Sequence, residues 1–400
     1  MNKFDNKKIK DLMTRGVVDV IVKKNLEEKL RSGKKLRVKY GIDPTGPKIH
    51  LGRASTMRKL AKFQELGHQV VLIVGDFTAQ IGDASDKMNE RPMLTDLQVK
   101  ENMKNYLPQI GKIIDVEKAE VRYNSEWLGK LSYADICRQA DNFSVAQILD
   151  RENFSKRIKE GTRISLRELL YPLMQGYDSV AINTDIEIGG SDQLFNVLAG
   201  RELQRAYGQD AQNIITFKLL DGTDGRKMST SWGNIICITD DADSIYGKIM
   251  SMRDELITQY FELCTDVEME KIKEMEAEIS KNKINPRDLK MWLAREIVKI
   301  YYDGTSALVA EENFKNVFQK KEIPDKVESF FTKIKKYSIL DLVVDCGFAK
   351  SKGEARRLVL QKGIKIDGKT VDASAKVIEI TEKGILLQKG KRSFIKVKIK

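Results

Sequence analysis

The run HQVVLIVGD, residues 68–76, limits the fold more than any other stretch, because the consecutive apolar residues Val70 to Val74 leave no face for solvent. Such a segment suits a strand covered on both sides, as in a parallel sheet. Just upstream, KKLRVKYGI (34–42) reads as a short strand running into the turn DPTGP. After the turn, IHLGRASTMRKLAKFQELG carries apolar residues at helical spacing. The scheme repeats downstream. The turn GDFTAQIGDASDK follows the apolar run, and later come a helix around SLRELLYPLMQGYDS, a short strand at TDIEIGGSDQ and a helix LFNVLAGRELQRAYG. This alternation predicts a doubly wound α/β domain that binds its ligands at the carboxyl ends of the strands.

From about Asp240 to Gln319 the pattern turns helical and charge-rich, with VEMEKIKEMEAEISKNK the clearest amphipathic helix. KKEIPDKVES then reads as a linker, and SKGEARRLVLQKGIKIDGKTV as a helix followed by two short strands around a DGK turn. Charge is uneven along the chain. Of a net +12, the last 64 residues, from Tyr337 onward, supply +8, with 15 Lys and Arg against 7 Asp and Glu. Clustered positive charge on a small terminal unit suits binding to phosphate backbones, and equally suits a solvated lysine-rich surface. The four cysteines, Cys137, Cys237, Cys264 and Cys346, stand far apart with no histidine nearby, which argues against a zinc site or a disulfide framework and predicts small core residues. No apolar run approaches the roughly 20 residues that cross a bilayer, so a cytoplasmic protein is expected.

Chemistry gathers in two places. Asp43, Pro44, Thr45, Gly46 and Pro47 precede His50, Gly52 and Arg53 at a helix start, where free backbone N–H groups and the helix dipole favour an anion and His50 adds a donor. Gly52, lacking a side chain, lets a flat base or ribose approach the backbone. A lone histidine there is more often structural, so it needs partners; His68, after the helix, reads as structural. The second place is GRKMSTSWGN, Gly225 to Asn234, a polar loop with glycines, hydroxyls and the pair Arg226 and Lys227, suited to gripping a polyphosphate. YPLMQGYDS puts Tyr171, Gln175 and Asp178 on one helical face, provided that Pro172 lies at the helix start or at a kink. GGSDQ (189–193) follows a strand, and TAQIGDASDK offers Thr78, Asp83 and Lys87 in another loop.

An HxGx motif followed at long range by KMSxS on an α/β chain resembles the class I aminoacyl-tRNA synthetases. With YxxxQxxD, GGSDQ and a basic tail that looks like an S4-type RNA-binding module, the chain resembles the bacterial tyrosyl-tRNA synthetases from about residue 10 onward. The resemblance implies a Rossmann-like catalytic domain over 1–236 with an inserted helical connective region at about 125–165. It also implies a helical domain over 237–320, a linker over 321–336 and a small α+β S4-like domain over 337–400. It implies activation of tyrosine by ATP to tyrosyl-adenylate and pyrophosphate, then transfer to the terminal ribose of tRNA(Tyr). No covalent enzyme intermediate is needed, which suits an inventory of donors and cations without a nucleophile set.

By position in those motifs, Thr45 and His50 resemble the pair that grips the γ-phosphate. Lys227 and Ser231 close over it, with Lys87 and Arg91 as further contacts. Asp192 matches the ribose ligand, and Asp43, Gly52, Gly190 and Met228 fall at the ATP site. Tyr171, Gln175, Asp83 and Gln193 match the ammonium site, Thr78 lines it, and Asp178 matches the acceptor of the phenol hydroxyl. Lys352, Arg356 and Arg357 are candidate tRNA contacts; adjacent arginines on a helix point in different directions, so one of the two is expected to face phosphate. The resemblance further implies Mg2+ carried by ATP, no structural metal, and a homodimer with LSYADICRQADNFSVAQILD as its interface.

The chain departs from the family at three positions. Arg53 replaces the second histidine of HxGH, and Thr230 replaces the second lysine of KMSKS. Lys39 stands where relatives place a tyrosine near the substrate hydroxyl, with Tyr40 beside it; which of the two faces the hydroxyl is open. Arg53 or Arg226 is the candidate to supply the missing loop charge. Two alternatives remain: an RNA-binding paralogue that has lost amino-acid activation, and a nucleotidyltransferase of the HxGH type that uses no tRNA.

Overall fold

The run that limits the fold forms strand β3 (Gln69–Val74), and Val70 to Val74 are all buried. The computed structural model describes residues 6–85, 89–90, 92–228, 232–281, 283–318, 327–371, 377–381, 384–390 and 393–399. Around β3 stand β1 (Val17–Ile21), β2 (Arg37–Ile42), β4 (Glu120–Tyr123), β5 (Ile186–Gly190) and β6 (Asn213–Phe217), in the order β1-β6-β5-β2-β3-β4. Strands β2 to β6 run parallel. These five form the parallel sheet that the alternation predicts, and the edge strand β1 adds to it antiparallel to β6. Each fully buried Val, Leu or Ile contributes about 1.5–3 kcal/mol, so β3 and its neighbours hold the core of this sheet.

The strand order reverses between β2 and β5, the place where such sheets open a crevice. Here the register shows how. β2 pairs with β3 along all six residues from Arg37 to Ile42, but with β5 only at Val38–Ile186 and Lys39–Glu187. Beyond Lys39 the two strands part, and the chain that leaves each of them borders the gap.

The Leu51–Glu65 helix joins β2 to β3, and the Leu194–Ala206 helix joins β5 to β6. The Leu166–Ala181 helix begins earlier than Tyr171: the Ser165 N–H donates to the Glu168 carboxylate at 2.9 Å. Pro172 therefore lies within the second turn, where it leaves the Glu168 carbonyl without its usual donor. This helix packs closely on Leu194–Ala206. A Cβ on Gly176 would stand 3.0 Å from the Ala199 carbonyl carbon and 3.1 Å from the Gly200 nitrogen, so glycine lets the two backbones approach without either having to give. Short helices at Ser125–Leu128, Tyr133–Ala140, Val145–Leu149 and Glu152–Lys159 occupy the stretch expected as a helical insertion. Beyond residue 240 come Ala242–Ser251, Ile257–Cys264, Met269–Ser280, Pro286–Tyr301 and Gly304–Phe318. Arg15, nearly buried, donates to the carbonyls of Phe261, Glu262, Thr265 and Val267, capping the Ile257–Cys264 helix with a cation.

The chain divides into two compact units, Met1–Ala307 and Leu308–Lys400. The second has its own core, in which Ile339, Leu342, Val343, Ala355, Val359, Ile364, Leu387 and Val397 are fully buried. Its main sheet runs β10 (Lys369–Thr370), β9 (Ile364–Ile366), β12 (Ile385–Lys389), β13 (Ser393–Ile399), β7 (Glu328–Thr332). A second pair joins β8 (Lys336–Ser338) to β11 (Val377–Glu379). Strand β7 pairs in parallel with β13 from Glu328 to Thr332, within the 321–336 stretch expected to be a linker; the last strand supplies the partner that local sequence does not reveal. The DGK turn forms as expected between β9 and β10, with Asp367 and Gly368 both at positive φ. Cys237, Cys264 and Cys346 are buried, but Cys137 is exposed on its short helix, against the expectation of a core residue.

Candidate functional site

Where β2 and β5 part, a cavity of about 480 Å³ opens at the carboxyl ends of the strands. Asp43, the first residue past β2, lines it. Its carboxylate accepts from the Thr78 hydroxyl at 2.8 Å and from the Tyr171 hydroxyl at 2.9 Å. Burial pushes Asp43 up to about 6, against the lowering effect of those two donors. The Tyr171 hydroxyl is raised well above its ordinary value by burial and by the Asp43 charge.

The DPTG turn is held by Arg53. Its guanidinium donates to the Asp43 carbonyl (3.0 Å), the Tyr106 hydroxyl (2.9 Å) and the Thr45 hydroxyl (3.0 Å). Arg53 thus lines the cavity as the brace of the turn. His50 caps the Leu51–Glu65 helix in an extended conformation, and the segment around it is clamped by Leu51 N–H donating to Ile236 (2.9 Å) and Ile238 N–H donating to Ile49 (3.0 Å). Burial, aided by the Arg53 charge, pushes His50 down to about 3, so its imidazole is neutral at physiological pH. Its Nδ1 is buried with no hydrogen-bond partner among the described residues. A Cβ on Gly52 would come within 3.1 Å of that Nδ1 and 3.3 Å of the Met228 sulfur, so glycine lets both lie against the backbone.

Asp178, almost wholly buried, lines the same cavity. It accepts from Trp127 Nε1 at 2.8 Å and from Asn124 Nδ2 at 3.4 Å. Burial pushes it up to about 7, opposed first by the charge of Lys39 and then by those two donors. Tyr171, Gln175 and Asp178 share the cavity face of their helix, as the spacing predicts. Asp83 and Gln193 meet directly, Gln193 Nε2 donating to Asp83 at 2.8 Å, and Asn196 joins Gln193 to Gln175 at 3.0 and 3.2 Å. Tyr40 and Thr78 also line the cavity. Lys39 does not. Adjacent strand residues face opposite sides of a sheet, and the Lys39 ammonium is buried against the Gln175 carbonyl, Ser179 and Glu187.

At the nucleotide side, Gly190, Asp192, Lys227 and Met228 line the same cavity, and Lys227 Nζ lies 3.2 Å from Asp192. Asn234 secures the base of that loop, donating to the Lys227 carbonyl at 3.1 Å and to Asp224 at 2.8 Å. Arg226 turns away to Asp224 and over the Trp232 ring, 4.7 Å from its centre, and is not part of the lining. Lys87, Arg91, Thr230 and Ser231 lie outside the described residues. Lys352, Arg356 and Arg357 are exposed on the Lys352–Leu360 helix, whose Ala355 and Val359 face the core; Lys352 pairs with Asp341 at 2.6 Å.

Sequence reasoning missed Asn124, Trp127 and Tyr106. Asn124 directly follows β4, and the rule that ligands gather at carboxyl ends of strands could have found it; Trp127 and Tyr106 carry no such signal. Among the described residues, no three His, Cys, Asp or Glu side chains come together as metal ligands.

A family model for tRNA synthetases class I (W and Y) matches residues 31–319, and one for the tyrosine–tRNA ligase SYY-like C-terminal domain matches 319–397. The tyrosine–tRNA ligase of Thermotoga maritima is 47% identical over 96% of this chain and 96% of its own length. That of Dehalococcoides mccartyi is 45% identical over 99% of this chain and 100% of its own. The solved tyrosyl-tRNA synthetase from Archaeoglobus fulgidus, complexed with L-tyrosine, shares the fold at a TM-score of 0.61 and 23% identity, covering 76% of this chain and 99% of that one. The enzyme from Aeropyrum pernix does so at 0.61 and 19%, covering 80% and 99%.

Proposed function

The chain belongs to the tyrosine–tRNA ligases of class I, and we propose that the cavity between β2 and β5 is where it joins tyrosine to ATP before transfer to tRNA(Tyr). The observation that carries this reading is the buried carboxylate of Asp178 in one cavity with the His50 turn and Lys227.

In this reading the substrate phenol donates to Asp178, whose two oxygens already accept one donor each, from Trp127 and Asn124. The ring lies against Tyr40, and the ammonium sits among Tyr171, Gln175, Asp83 and Gln193, with Thr78 beside it. The tyrosine carboxylate then attacks the α-phosphorus of ATP. A new oxygen–phosphorus bond forms as the bond to the bridging oxygen breaks, and pyrophosphate leaves. Thr45, His50 and Lys227 take the charge that moves onto it, with Ser231, Lys87 and Arg91 assigned the same role. His50 acts as a neutral donor, since burial keeps it unprotonated. Arg53 contributes by holding Thr45 in place. Asp192 binds the ribose, while Asp43, Gly52, Gly190 and Met228 border the nucleotide. Mg2+ arrives with ATP as part of the substrate. Positioning and charge stabilisation supply the rate, with no covalent step on the protein.

The basic terminal unit is assigned to tRNA, through Lys352 and Arg356 or Arg357. We assign a homodimer interface to residues 131–150, supported by the strong exposure of Tyr133 (89%) and Val145 (61%), and a cytoplasmic location. Among the described residues no helix is long and apolar enough to cross a membrane.

Tyrosine-dependent exchange of labelled pyrophosphate into ATP tests the site. Asp178→Asn removes a charged acceptor from the substrate hydroxyl and is expected to lower kcat/KM for tyrosine about tenfold to a hundredfold. Exchange at the wild-type rate would refute the assignment.

A further inference from the structure

At the point where β2 and β5 part, their last paired residues are Lys39 and Glu187. Both side chains are essentially inaccessible, and they form an ion pair at 3.0 Å behind the cavity wall. All three ammonium protons are placed: on Glu187, on the Gln175 carbonyl at 2.8 Å and on the Ser179 hydroxyl at 2.8 Å. Ser179 in turn donates to Glu187 at 3.1 Å, and the Gln175 amide donates to it at 3.3 Å. Gln175 and Ser179 bracket one helical turn, and Asp178 lies within that turn. A buried ion pair is poor evidence of added stability, since apolar residues of equal volume often serve as well. What this pair does distinctively is grip the turn that carries Asp178 from behind and put a positive charge beside it.

Resting on the reading of Asp178 given above, we propose that Lys39, paired with Glu187, is a positioning residue: it fixes that turn and keeps the Asp178 carboxylate an acceptor, so the pocket selects a hydroxylated ring over phenylalanine without Lys39 touching substrate. An ionised, buried acceptor left without a donor penalises phenylalanine, whereas a protonated one does so far less. The groups acting on Asp178 are Lys39 from β2, Glu187 from β5, the neutral donors Asn124 and Trp127 after β4, and Tyr171 on its own helix. Of the charged pair, Lys39 has the larger effect on Asp178 and favours its ionised form, while Glu187 opposes it.

The test is pyrophosphate exchange with the full chain, measured with tyrosine and with phenylalanine from pH 6 to pH 9.5. The double variant Lys39→Met with Glu187→Gln leaves no unpaired buried charge. It is expected to move the acid limb of kcat/KM for tyrosine upward by about one pH unit or more. At pH 7 the tyrosine-to-phenylalanine ratio should fall about tenfold, with kcat/KM for tyrosine falling and that for phenylalanine rising as its penalty is relieved. Glu187→Gln alone, which retains the Lys39 charge, should move the limb the other way. Equal losses for both amino acids with an unmoved limb, or an upward shift in Glu187→Gln, would overturn the proposal and leave Lys39 a packing residue. Asp178→Asn, run alongside, separates the two levels: if it keeps full preference for tyrosine, the assignment of the pocket itself fails.

Discussion

Asp43 and Asp178 keep their protons to about pH 6 and pH 7 because burial disfavours their charged forms more than nearby donors favour them. An unfolded aspartate releases its proton near 3.8, so between that value and about 7 the folded chain binds more protons than the unfolded one, and stability falls as pH rises through that window. The cost is greatest at alkaline pH, where both carboxylates are ionised with no substrate to accept from. Asp178→Asn is therefore expected to stabilise the ligand-free protein by about 1–3 kcal/mol at pH 8 and by much less at pH 5, even as it loses activity. Thermal unfolding at the two pH values checks this; equal shifts would show that ionisation is not the cause. Asp178 was legible because its motif spacing puts it on the helical face of Tyr171 and Gln175. Its supports were not. Trp127 and Asn124 reach it through the end of β4, and Lys39, noticed only as a departure from a family pattern, turned out to face the opposite side of β2 from Tyr40.

Among the elements, the Leu166–Ala181 helix carries three cavity residues, and its placement depends on the near-contact of Gly176 with the backbone of Ala199 and Gly200. Gly176→Ala favours the isolated helix, by about 1 kcal/mol. Here it forces two backbones apart, and the expected net loss is about 1–2 kcal/mol with a raised KM for tyrosine. Denaturant unfolding with tyrosine titration reads both effects, and a stabilised variant with unchanged KM would show that the helices can yield. The strands that built the first unit were readable wherever apolar runs were continuous, as in β3. Those that depend on distant partners were less so: β1 hides behind a charged amphipathic segment, and β7 sits in apparent linker until β13 supplies its ladder. Of the two places allowed for Pro172, the helix start is excluded: the helix around SLRELLYPLMQGYDS begins at Leu166, with the Glu168 cap upstream of the proline.

For the whole molecule, charge and chemistry are separated. The second unit holds most of the excess positive charge from Tyr337 onward, while the cavity lies in the first. Replacing Lys352, Arg356 and Arg357 together by alanine should leave pyrophosphate exchange unchanged, raise KM for tRNA, and lower the salt dependence of charging by about one phosphate contact per engaged side chain. An unchanged salt slope would place the RNA surface elsewhere on the unit. In the first unit, the Lys227–Asp192 pair has a consequence best put as competition binding. The cavity comes with an internal ligand, the lysine of one loop seated on the carboxylate assigned to the ribose. An entering nucleotide is thus a displacer, its apparent affinity reduced by the fraction of time the pair is closed. The cation it frees is the one assigned to the phosphates, and high salt, which opens the pair and weakens phosphate binding together, should change KM for ATP less than either effect alone.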